Sequence, residues 1–109
     1  MGGFIPQELA NAAWAFATAD QNDASLFAAL ATAAQRRMGG FNPQNLANAA
    51  WAFATADQND ASLFAALATA AQRSMGGFNP QELANAAWAF ATAGQKDASL
   101  FAALATAAD

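Results

Sequence analysis

The chain has 109 residues, enough for about one domain. Alanine supplies 36 of its 61 apolar residues, and with no Val and a single Ile the composition favours helix over sheet. The absence of Cys and His excludes disulfides, thiolate metal sites and histidine-based catalysis, and a net charge of −4 leaves no basic footprint of the kind that grips phosphates.

Self-comparison sets the architecture. Met1-Gly2-Gly3-Phe4 returns as Met38-Gly39-Gly40-Phe41 and Met75-Gly76-Gly77-Phe78, and Trp14, Trp51 and Trp88 keep the same 37-residue step. The copies 1–37 and 38–74 differ only at Ile5/Asn42, Glu8/Asn45 and Arg37/Ser74. The third, 75–109, departs from the second at Glu82, Gly94, Lys96 and Asp109. A period between about 20 and 50 residues marks a solenoid or similar array. Such identity points to recent duplication or to copying by design. The shortage of Glu and Lys, which designed helices carry in abundance, favours duplication.

Each copy opens with a predicted helix, taken here in the middle repeat as Pro43 to about Ala56. Asn42 is its N-cap, Pro43 suits the first helical position, and Phe41 can staple onto Leu46 across the cap. In the third copy Asn79 and Glu82 complete a capping box, whereas Ile5 leaves the first copy without its capping side chain. The helices stop near Asp20, Asp57 and Gly94, of which only Gly takes the left-handed conformation freely. A second helix is predicted from Ala61 to about Ser74, capped by Asp60 and ended by Gly76-Gly77. Helices of about 14 residues are marginal alone, so stacking must stabilise them. The expected fold is all-α: an α-solenoid of three stacked helix-turn-helix repeats.

A helical wheel places Leu46, Ala49, Ala50 and Phe53 on one arc of the first helix and Gln44, Asn48, Trp51 and Thr55 on the opposite arc. In the second helix Leu63, Phe64, Leu67, Ala71 and Met75 form the apolar side; Ser62, Ala65, Thr69 and Gln72 form the polar side. Neither end carries a distinct polar capping repeat. The expectation is a fragment of a longer array or a chain that self-associates end to end.

The string Phe41-Asn42-Pro43-Gln44-Asn45-Leu46-Ala47-Asn48-Ala49-Ala50-Trp51-Ala52-Phe53-Ala54-Thr55-Ala56 resembles the first helix of octotricopeptide-type repeats, and its 37-residue spacing resembles the related heptatricopeptide class. Pro80-Gln81-Glu82-Leu83-Ala84-Asn85-Ala86-Ala87-Trp88-Ala89-Phe90-Ala91 follows that pattern most closely. The resemblance covers all three copies. It implies a helical-repeat protein that binds single-stranded RNA in mitochondria or chloroplasts, acting in transcript processing, stability or translation. The RAP domain that often accompanies such repeats has no counterpart in this sequence.

The candidate RNA-contacting residues are Gln7, Gln44 and Gln81, the mid-helix Asn11, Asn48 and Asn85, and the cap position occupied by Asn42 and Asn79. Each also has a structural explanation: a solvated first-turn residue, an inter-repeat hydrogen bond, or a helix cap. Trp14, Trp51 and Trp88 are structural repeat positions that fill inter-repeat gaps, with base stacking as the alternative. All nine Phe are expected in the core.

The cations Arg36, Arg37, Arg73 and Lys96 neutralise few phosphates, and eight carboxylates oppose them, so any RNA affinity should be weak and salt-sensitive. The carboxylates Glu8, Asp20, Asp23, Asp57, Asp60, Glu82, Asp97 and Asp109 mostly fall at caps and loops, and no pair is poised for acid–base work. No phosphate-binding loop, cofactor motif, membrane-spanning run or targeting segment is expected. The protein is therefore read as a non-enzyme. A protein-interaction scaffold and a ligand-free designed repeat stand as the other functions.

Overall fold

The computed structural model describes residues 5–19, 23–58, 60–95 and 98–108. Six helices form its regular structure: α1 (Pro6–Thr18), α2 (Ala24–Arg36), α3 (Pro43–Thr55), α4 (Ala61–Arg73), α5 (Pro80–Thr92) and α6 (Ala98–Ala108). Asn or Asp just before α2 to α5, and Pro at the first position of α1, α3 and α5, set where these helices begin. Single 3₁₀ turns, Met38–Gly40 and Met75–Gly77, follow α2 and α4. No strand occurs among the described residues. The all-helical expectation holds.

The caps follow the sequence in detail. Asn79 Oδ1 accepts from the Glu82 N–H at 2.7 Å while Glu82 Oε1 accepts from the Asn79 N–H at 3.0 Å. Asn42 and Asn45 make the same reciprocal pair, with Asn45 standing in for the usual Glu. At α1 only half the box exists: Glu8 Oε1 accepts from the Ile5 N–H, and Ile5 has no acceptor to return. Asp23 and Asp60 cap α2 and α4 through the N–H groups of Ser25, Leu26 and Leu63.

At the far ends, α3 and α5 finish alike. Asp57 has φ +59° and Gly94 has φ +74°. The Gln58 and Gln95 N–H groups reach back to the Phe53 and Phe90 carbonyls at 2.8 and 2.9 Å. This is the Schellman arrangement, built on Gly in one copy and on the sterically less willing Asp in another. The corresponding stop at Asp20 lies outside the described residues.

Packing divides the helices into two rows. In the first, α1 lies against α3 and α3 against α5 along much of their length; in the second, α2 touches α4 and α4 touches α6 over shorter stretches. The placement of alanine along the first-helix seam permits the closer row. Ala10, Ala13 and Ala17 of α1 and Ala47, Ala50 and Ala54 of α3 are buried, and their small side chains allow close approach between axes. Between the rows, Phe27 meets Phe53 and Phe64 meets Phe90 edge to face, each with ring centroids 5.2 Å apart. Thus the second helix of one copy locks onto the first helix of the next.

The predicted apolar arcs are covered, and that of α3 is wider than drawn, taking in Asn45, Ala47, Ala52 and Ala54. Leu46, Ala49, Ala50, Phe53, Leu63, Phe64, Leu67 and Ala71 are buried, with Met75 half-buried. One expectation is corrected: Phe16 is 36% exposed and Phe101 half-buried, whereas their equivalents Phe53, Phe90, Phe27 and Phe64 are buried. Phe16 belongs to the first copy and Phe101 to the last. Each lacks the neighbour that covers its equivalents. Phe4 lies outside the described residues.

Candidate functional site

Helix α3 has a neighbour on three sides, so its surface is reduced to one stripe. Apart from Pro43 at its start, every residue from Gln44 to Thr55 is buried except Gln44, Asn48, Trp51 and Thr55. These four fall at successive turns of one face. Their equivalents on α1 (Gln7, Asn11, Trp14, Thr18) and α5 (Gln81, Asn85, Trp88, Thr92) are exposed or half-buried too. Because the three first helices lie side by side, three stripes combine into one polar and aromatic face.

The indoles form its middle line. Trp14 and Trp51 have ring centroids 6.0 Å apart, Trp51 and Trp88 6.5 Å, and both pairs are tilted by 31°. The Trp side chains therefore bridge neighbouring copies, as the repeat spacing anticipates. They also keep a wide face toward solvent, with Trp14 46% and Trp88 48% exposed. Sequence periodicity shows that a Trp recurs at the seam, but not which part of its ring the seam covers.

The carboxamides flank this line. Asn11, Asn48 and Asn85 make no side-chain hydrogen bond among the described residues, and no buried polar atom there lacks a partner. The amides of Asn48 and Asn85 are thus half-covered but still reach solvent. Among the described residues no hydrogen bond between repeats involves these amides. Gln7, Gln44 and Gln81 are exposed at the helix starts. Asn42 and Asn79 differ from these six: each spends its Oδ1 on a helix cap, which accounts for its identity without a ligand.

The charges lie elsewhere. Arg36 and Arg73 occupy the last turns of α2 and α4, with Arg37 just beyond α2, where the helix dipole favours them. Among the carboxylates, Glu8, Asp23, Asp60 and Glu82 serve caps and Asp57 holds the left-handed turn. Lys96, Asp20, Asp97 and Asp109 lie outside the described residues. No group of three metal-ligating side chains occurs among the described residues, and no helix is long and apolar enough to cross a membrane. On the second-helix side, an open groove of about 390 Å³ runs between the Met38–Gly40 turn and α4, lined by Met38, Phe41, Ala66, Thr69, Ala70 and Arg73.

No curated protein and no solved structure matches the chain. Two of its segments, residues 23–49 and 60–86, match a family described as "Protein of unknown function (DUF1601)". Each segment begins at the capping Asp of a second helix and runs through the 3₁₀ turn into the first half of the next first helix, so it crosses from one copy into the next but stops short of Phe53 and Phe90. In these two stretches the chain is similar to a repeat family whose function is unknown.

Proposed function

We propose that the chain is a three-repeat stretch of α-solenoid with a 37-residue period, and that the face shared by α1, α3 and α5 binds single-stranded RNA. The first helices pack more closely than the second, which makes their row the inner wall of a curved ribbon. The observation that carries the reading is the reduction of α3 to one open stripe: unbonded carboxamides beside a line of half-open indoles, repeated on both neighbours. Indoles offer stacking surfaces to any base, and carboxamides pair with base edges. The 6.0–6.5 Å indole spacing exceeds the rise of roughly 3.4 Å per nucleotide in a stacked strand, so a strand following this line is extended, with its bases unstacked.

The arginines sit at the ends of second helices, off this face. Few phosphates are therefore neutralised, and the affinity, shared between these charges, stacking and the carboxamides, is weak and salt-sensitive. The organellar setting and the role in transcript maturation follow from the octotricopeptide resemblance alone. Binding, not catalysis, is the activity proposed.

Fluorescence polarisation with short labelled single-stranded RNAs, at low and moderate salt, tests the reading. Binding that is lost in Asn48→Ala while the helical spectrum is unchanged supports it. Indifference to every RNA overturns it and favours a scaffold for protein partners.

A further inference from the structure

The seam between copies is used twice inside the chain, and its two halves lie open at opposite ends. One half is formed in the middle copy by Asn45, Ala49, Ala52 and Phe53, all buried against the preceding copy. Their equivalents in the first copy are Glu8, Ala12, Ala15 and Phe16; Ala12 is half-buried and the other three are exposed. The other half is formed by Ala47, Ala50, Ala54, Phe64 and Ala68, again all buried. In the last copy the equivalents Ala84, Ala91 and Ala105 are exposed, and Ala87 and Phe101 are half-buried.

The geometry points to head-to-tail docking of a second copy of this chain, the α5–α6 end of one molecule seating on the α1–α2 end of the next. The occupant is fixed by continuity with the internal seams. Only a surface shaped like this chain's own first copy reproduces the alanine-to-alanine approach of the first helices and the edge-to-face ring pair. Phe101 would meet the second copy's Phe16 as Phe27 meets Phe53 and Phe64 meets Phe90. Trp88 would meet its Trp14, continuing the indole line across the junction. The contact joins two different surfaces, so each added copy presents the same open ends, and growth does not stop at a symmetric dimer. It requires no RNA and stands apart from the proposed ligand.

Sedimentation velocity of the 109-residue chain without nucleic acid, over a concentration series, tests this with two end-blocked variants. Ala15→Glu places a charge on the first half and Ala84→Glu on the second; both positions are exposed in the single chain, while the seam equivalents Ala52 and Ala47 are 0% and 1% exposed. The mass of the unaltered chain should climb with concentration past that of two chains. Each variant alone should remain at the single-chain mass with its helical spectrum intact. Their equimolar mixture should give the mass of two chains and no more, because each variant has a single open half and the pair uses both. An unaltered chain that stays single at every concentration overturns the inference. So does association that persists in both variants, or a mixture that fails to pair.

Discussion

A Cβ added to Gly77 would lie 3.2 Å from Cγ of Pro43, so the second glycine of the Met-Gly-Gly turn marks the point where one copy's turn presses on the previous copy's first helix. Gly40 bears the same relation to Pro6, again at 3.2 Å, while Gly39 and Gly76 face open space. The glycine pair that reads as a helix stop in sequence has two distinct roles.

Gly77→Ala should therefore lower stability by about 1 kcal/mol, the lower end of the usual cost of overpacking a close contact. Gly76→Ala, with nothing in its way, should be neutral within about 0.5 kcal/mol. Urea unfolding of the two variants side by side checks the contrast.

Gly94 ends α5 in the left-handed region, where a side chain is penalised. Gly94→Ala should cost about 1–2 kcal/mol even though nothing lies near the new methyl group. A thermal melt unchanged from the parent chain would contradict this assignment of strain.

Ile5 stands exposed where the other copies have a capping Asn. Ile5→Asn should complete the box with Glu8 and raise stability by about 1 kcal/mol, and Asn79→Ala should lower it by a similar amount. Chemical denaturation of both variants, read by circular dichroism, reports the two opposite shifts.

Phe90→Ala removes a ring buried at the seam and should cost about 3–5 kcal/mol. Phe16→Ala, at the same repeat position but 36% exposed, should cost under about 1.5 kcal/mol in the single chain. Equal losses measured at low concentration would show that the first copy's outer face is covered by something internal.

Much of this was legible from residues. The caps at Asn42, Asp60 and Asn79 and the opposed arcs of α3 and α4 follow from side-chain chemistry and a 100° wheel, because these features are local. The burial of Ala47 and Ala54 was not legible. Alanine on a helix facing two neighbours looks the same in sequence as alanine facing water, and only the side-by-side placement of α1, α3 and α5 decides between them. Asn45 as the returning partner in a capping box was hidden by its departure from Glu, and the left-handed Asp57 by its departure from Gly. The Trp line was visible as a period, but its dual character, half seam and half surface, depends on tilt and spacing that no sequence pattern carries.

The proposed face is tested most directly by two-dimensional ¹⁵N–¹H NMR of the chain titrated with a short single-stranded RNA. The three indole Nε1–H signals and the side-chain amides of Asn11, Asn48 and Asn85 should shift together, before resonances of the second helices move. Shifts confined to the second helices, for example around Thr69 and Arg73, or no shift at saturating RNA, would contradict the proposed face.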